Sequence, residues 1–172
     1  MPIRKPHSGN RRPKSKSQHD RILIVCNAQC SEPYYIRGLL EHHNINTAGV
    51  EVQGYAVTPE VLIQKALDIV KAEIKNGEKY DEVYCVFDRD DFAHYEAAKK
   101  RAEHYKFVCI TSNPSFEYWL LIHFKETDAP YAAVGNNTVG DLCLNQLKRE
   151  FKEYKKTCRT FIRHYFPGFL ML

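Results

Sequence analysis

Asp88-Arg89-Asp90 follows directly on Glu82-Val-Tyr-Cys-Val-Phe87, an apolar run of strand length. Carboxylates at positions i and i+2 in a strand-to-helix turn can both point at one small cation. Magnesium accepts few protein carboxylates and keeps several waters, which leaves room for phosphate oxygens. Helix capping competes with that reading, because Asp90 or Asp91 at a helix start would accept backbone N–H bonds. Capping accounts for one aspartate well and for three poorly. Glu32 sits after the first apolar run, in a loop or the opening turn of a helix, where the dipole alone favours an acid. If the first and third strands are neighbours, Glu32 also reaches the Asp88 and Asp90 site. Carboxylates brought that close repel one another and are tolerated only with a cation or a proton.

Glu117 lies in a segment dense in aromatics, Asn113-Pro-Ser-Phe-Glu-Tyr-Trp-Leu-Leu-Ile-His-Phe124. Phe116, Trp119, Leu120 and Phe124 read as the core side of a helix. Glu117, near its start, suits the dipole and also falls beyond a strand end, where a metal site would lie. His123 reads as a partly buried, satisfied histidine. Lys155 and Lys156 close the last predicted helix, where cations offset its dipole. Tyr34, Tyr35, Tyr95 and Tyr105 could stack on bases, but they form no periodic platform.

These residues need a frame to hold them. Arg21-Ile-Leu-Ile-Val-Cys26 is apolar throughout, the pattern of a strand buried on both faces. A helix follows around Tyr34 to Leu40, with Pro33 near its start, and a shorter strand covers about Val50 to Tyr55. Thr58 caps a helix with Pro59 at its first position. Ile63, Leu67, Val70 and Ile74 give that helix an apolar stripe, and Asn76-Gly77 ends it. After the strand at 82–87 come a helix over 92–104, a strand over 107–111 and the aromatic helix from Asn113-Pro114. Residues 126–139 read as loop, and a last helix spans about 140–156. Strands alternating with helices predict an α/β fold, a mainly parallel sheet with helices on both faces. Ligands of such sheets bind beyond the carboxyl ends of the strands, near the switch in strand order.

The chain has 172 residues, enough for a sizeable core, and 44% of them are hydrophobic. Its net charge of +4 is uneven. Residues 1–20 hold six Arg or Lys against Asp20, a net +5, and the remainder comes to −1. Rich in proline and polar residues, this segment predicts a disordered basic tail, either solubilising or touching nucleic-acid phosphates. The domain proper would begin at residue 21. No apolar run approaches the ~20 residues that span a bilayer, and no secretory signal is evident. That predicts a cytoplasmic protein with no membrane association. Of six cysteines, Cys26, Cys85 and Cys109 fall in predicted strands, as reduced core thiols do. Cys26 and Cys30 lack the partners of a zinc set.

With these segments laid out, the chain resembles the RloB-like family of bacterial abortive-infection and phage-defence proteins. The resemblance rests on Ile22-Leu-Ile-Val-Cys26, Ser31-Glu-Pro-Tyr-Tyr35, Tyr80-Asp-Glu-Val83, Cys85-Val-Phe-Asp-Arg-Asp90 and Ser112-Asn-Pro-Ser-Phe-Glu-Tyr-Trp-Leu-Leu121 with His123-Phe124. Tyr154-Lys-Lys156 is fainter. It covers about residues 21–156 and implies a Toprim-like (Rossmann-like) nuclease fold. It further implies a Mg2+ (or Mn2+) site of a first-loop glutamate and an Asp-x-Asp, used for phosphodiester hydrolysis. Carried over by position, the metal ligands are Asp88, Asp90 and Glu32, and Glu117 joins them in the catalytic set. The implied partners are nucleic acid and an AAA-type or ABC-type ATPase. Family members usually read Cys-Glu-Gly-Glu where this chain has Cys26-Asn27-Ala28-Gln29. Asn27 thus replaces a glutamate, and an amide cannot take a proton from water at neutral pH. The chain also ends early relative to the family pattern, after Phe166-Pro-Gly-Phe-Leu-Met-Leu172, as a truncation would leave it. Two functions follow as expectations: a metal-dependent nuclease, or a catalytically impaired subunit that binds nucleic acid or an ATPase.

Overall fold

The computed structural model describes residues 20–89, 92–125 and 137–155. The basic tail, the residues after 155, and Asp90 and Asp91 lie outside these.

Four strands alternate with helices: β1 (Ile22–Cys26), α1 (Ser31–His42), β2 (Val50–Gly54), α2 (Pro59–Lys75), β3 (Glu82–Asp88), α3 (Phe92–His104) and β4 (Val108–Ser112). A short α4 (Phe116–Leu121) and α5 (Val139–Glu150) complete the described chain. The sheet is wholly parallel, in the order β2-β1-β3-β4. The architecture is therefore the α/β one that the alternation predicts, and Rossmann- or Toprim-like as the resemblance implies. After β2 the chain crosses back past β1 to lay down β3. The strand order reverses between β1 and β3, which leaves a crevice beyond their carboxyl ends.

Side chains alternate across the strands. Leu23 and Val25 of β1 and Val83, Cys85 and Phe87 of β3 join one buried cluster with Leu62, Ile63 and Ala66 of α2 and Ala98 and Ala102 of α3. A second cluster brings Phe116, Leu120 and Leu121 of α4 together with Leu147 and Phe151, flanked by Tyr35 and Leu39 of α1. Tyr35 meets Phe116 edge-on, with ring centroids 5.5 Å apart.

Local signals explain the ends of α2. Thr58 takes the extended N-cap conformation, although its side chain makes no cap bond, and Pro59 occupies the first turn. Gly77, at φ +81°, reverses the chain, so that its N–H reaches the Ile74 carbonyl and that of Glu78 reaches the Glu73 carbonyl, each at 3.0 Å. This paired closure needs a left-handed residue, a conformation glycine adopts without steric cost.

Several expectations shift. Ile74 is 59% exposed, so the apolar stripe of α2 ends a turn before the helix does. The aromatic helix begins only at Phe116 and stops at Leu121, and its Trp119 is 41% exposed rather than core. α5 begins at Val139 and ends at Glu150, so Lys155 lies beyond it, and Lys148 and Arg149 occupy its last turn. Val108 and Ile110 of the edge strand β4 are also exposed, so that strand is not covered on both faces as β1 is. No described helix is long and apolar enough to cross a membrane.

Candidate functional site

The crevice is built first by backbone. The Asn27 N–H bonds the Val86 carbonyl at 2.9 Å, and the Tyr55 N–H bonds the Cys26 carbonyl at 2.9 Å, so the ladder holds one residue past β1 on the β3 side and one residue past β2 on the other. The chain then turns tightly over β2. A Cβ at Gly54 would stand 2.6 Å from both the Ala28 carbonyl oxygen and the Pro33 ring, and 2.8 Å from the Gln29 carbonyl oxygen. Only a residue without a side chain allows that approach. The turn delivers Glu32 into the first turn of α1, where it is 1% exposed. Ser31 Oγ donates to the Glu32 carboxylate. Burial, and next the charge of Glu32, push the nearby Cys26 thiol far up from its ordinary value.

Asp88 ends β3, opposite Ser112 of β4. The pairing continues one residue further, where the Arg89 N–H bonds the Ser112 carbonyl at 2.9 Å. The Arg89 guanidinium lies 5.3 Å from the centre of the Tyr95 ring. Tyr95 is itself buried, edge-on to Phe87 at 5.9 Å and within 3.4 Å of the Thr111 hydroxyl. The Tyr95 ring therefore offers that cation a stationary face.

Past β4, a cis Asn113–Pro114 bond leads to Ser115, the extended N-cap of α4. The Ser115 carbonyl accepts from the N–H groups of Tyr118 and Trp119 at 3.1 and 3.4 Å. Glu117 follows in the first turn and is 5% exposed. Its charge, after burial, contributes to pushing the Cys143 thiol of α5 up to about 11.

These residues border neighbouring cavities. A cleft of about 590 Å³ is lined by Asp88, Arg89, Ser115, Glu117, Thr138 and Asp141, among others. A more apolar cavity of about 380 Å³ is bounded by Glu32, Ile36, Val86, Ile110, Phe116 and Trp119, among others. The segment from Asn113 to Trp119 contributes to both. Thus Asp88 and Glu117, from different strand ends, line one cleft, and Glu32 lines the adjoining cavity. Asp90 lies outside the described residues. Among the described residues no three Cys, His, Asp or Glu side chains gather closely enough to hold a metal ion. The acid pair of the cleft still suits magnesium, which typically takes one or two carboxylates and fills its shell with water and substrate oxygens.

His123 is half-buried, edge-on to Trp119 at 4.7 Å, and burial holds its imidazole below the ordinary value. Sequence reasoning gave no role to Arg89, Ser115 or the start of α5. The α5 signal was present: Thr138-Val-Gly-Asp141 forms a capping box, with the Thr138 side chain accepting from the Asp141 N–H and the Asp141 carboxylate accepting from the Thr138 N–H.

A model of the RloB-like protein family matches residues 22–166. Neither the curated proteins nor the solved structures include a match.

Proposed function

The chain belongs to the RloB-like protein family, and from that premise we propose that it is a Mg2+- or Mn2+-dependent nuclease of a bacterial anti-phage system, hydrolysing phosphodiesters. The observation that carries this reading is the shared cleft of Asp88 and Glu117 at the carboxyl ends of the sheet. Two acids from separate connections bring to one cleft the oxygen donors that magnesium takes, few in number and completed by water and substrate oxygens.

Asp88 and Glu117 would hold the ion, joined by Asp90 on the strength of the Asp-x-Asp spacing. When bound, such an ion polarises a phosphoryl oxygen and makes a bound water acidic enough to attack near neutral pH. Glu32 is the first-loop acid that remains where Asn27 replaces the family's glutamate, and it is the residue we assign to accepting a proton or completing the ion's shell. Its burial beside the cleft supports that assignment.

Purified protein should cleave DNA or RNA with magnesium or manganese, and Asp88→Asn combined with Asp90→Asn should abolish cleavage. Cleavage without metal, or cleavage that survives the double change, rejects the assignment.

Asn27 favours a second reading, a catalytically impaired subunit that binds nucleic acid or an AAA-type or ABC-type ATPase. General acid/base groups are worth about 10²–10⁴-fold in rate. If this site is decayed, Asn27→Glu should raise cleavage by a comparable factor. Full activity in the unchanged protein removes this alternative.

A further inference from the structure

The acids of the cleft share its lining with groups of different chemistry. Arg89 lines the cleft, with its guanidinium 5.3 Å from the centre of the buried Tyr95 ring. Thr138, Val139 and Gly140, the opening of the 12-residue helix α5, line it too. The capping box uses the Asp141 N–H, and the Leu142 N–H bonds the Thr138 carbonyl at 3.1 Å. The N–H groups of Val139 and Gly140 are left with no acceptor inside the helix. Asp141 is turned back on its own cap, its carboxylate accepting from the Thr138 N–H at 3.0 Å and the Thr138 hydroxyl at 2.7 Å. Its charge is thereby engaged within the first turn.

A separate observation comes from α4. Ser115 is 5% exposed, lines the same cleft, and its hydroxyl oxygen makes no hydrogen bond of normal geometry. Its polar neighbour is the Cys143 thiol, a weak partner. A Cβ on Gly140 would lie 3.8 Å from the Ser115 Cβ, so the buried hydroxyl and the start of α5 adjoin. A buried hydroxyl matched only by a thiol is costly, and a ligand oxygen would be a stronger partner.

We propose that this part of the cleft is a phosphate subsite, in which the Arg89 guanidinium, the Ser115 hydroxyl and the backbone N–H groups of Val139 and Gly140 bind the oxygens of one phosphate group. A helix start offers N–H donors and a positive dipole end to an anion, and Arg89 adds a full charge with a forked donor geometry. The identity of that phosphate, as part of a nucleic-acid strand, rests on the nuclease reading, but its anion chemistry does not. With Asp88 and Glu117 in the same cleft, the subsite should bind phosphate more tightly when a divalent cation offsets the acids.

The test is calorimetric titration of the full chain with inorganic phosphate, with and without magnesium. Saturable binding strengthened by magnesium is expected. Arg89→Ala should weaken it about tenfold or more, the loss typical of a charged hydrogen bond. Val139→Pro removes one N–H donor where proline is well accepted, at the first helical position after a residue at φ −70° and ψ 164°. It should weaken binding severalfold while helicity and Tm hold. Should Arg89→Ala unfold, Arg89→Lys keeps the charge, loses the fork and should bind with intermediate strength. Absence of saturable binding in magnesium, or binding indifferent to both Arg89 and Val139, overturns the subsite. Asp88-dependent cleavage whose KM ignores both changes would remove the subsite and leave the nuclease standing. Arg89-dependent phosphate binding without any cleavage would do the reverse.

Discussion

The two faces of the sheet are built on different terms. On one, α2 and α3 cover β1 and β3 with a continuous apolar cluster in which Leu23, Val25, Cys85 and Phe87 are 0% exposed. On the other, α1 and the α4–α5 pair leave a gap over β3 and β4. Into that gap come Glu32, Val86, Ile110 and Trp119, and the cleft of Asp88 and Glu117 opens beside it. The first face is a packing solution. The second keeps buried acids and exposed apolar side chains that a purely structural face would not retain.

The largest effects test that contrast on adjacent residues. Phe87→Ala, on the closed face, should cost about 3–5 kcal/mol of stability, read by chemical denaturation. The specific activity of the molecules that remain folded should hold. Asp88→Asn, the next residue along, should lower cleavage by about 10²-fold or more, comparable with other reacting-site groups. Its Tm should stay near that of the parent, since an amide of the same shape replaces the carboxylate. If Phe87→Ala leaves stability intact, or Asp88→Asn mainly unfolds the protein, the division between faces is wrong.

A smaller effect concerns thiols. Burial pushes the Cys85 thiol up to about 12 and raises Cys26 further, the latter with help from Glu32. Alkylation near pH 8 should therefore spare both in the folded protein and reach them on unfolding, as mass spectrometry would show. Fast native labelling of Cys85 would mean that the closed face opens.

The smallest effect lies at the rim. The Arg21 guanidinium meets Glu73 at 2.7 Å and holds its carboxyl below the ordinary value of 4.5. A carboxyl depressed by folding adds stability above its unfolded pKa, and that gain disappears as pH falls through the folded value. Arg21→Ala should thus flatten the acid limb of the stability curve slightly and leave neutral-pH activity alone. An unchanged acid limb would show the pair to be inert, as many exposed pairs are.

The sequence announced the frame better than the site. Continuous apolar runs such as Ile22–Cys26 and Val83–Phe87 carry both faces of a buried strand in their composition, and Pro59 and Gly77 mark helix ends by backbone chemistry alone. The same reasoning overextended on Ile74 and Trp119, because periodicity describes a helix surface and says nothing of whether a neighbour covers it. For the site, Asp88 and Glu117 could be named from their places after strands. That they line one cleft and Glu32 the next depends on the path of the chain between Asn113 and Glu117, which spacing does not encode. Arg89 is visible in the sequence only as the middle letter of a motif, and its contact with the Tyr95 ring and its place in the cleft appear only in the fold.

Gly54 sits on β2, a strand that lends no acid to the cleft, yet the loop after β1 rests against it too closely for one added carbon. The position of Glu32 is therefore hostage to a residue that never approaches a ligand. A methyl group there would act like a wedge under a hinge, lifting the start of α1 and carrying its carboxylate away while every candidate side chain remained chemically whole. Loss of function at such a spot would be mistaken for a folding defect by any survey that looks only at reactive groups.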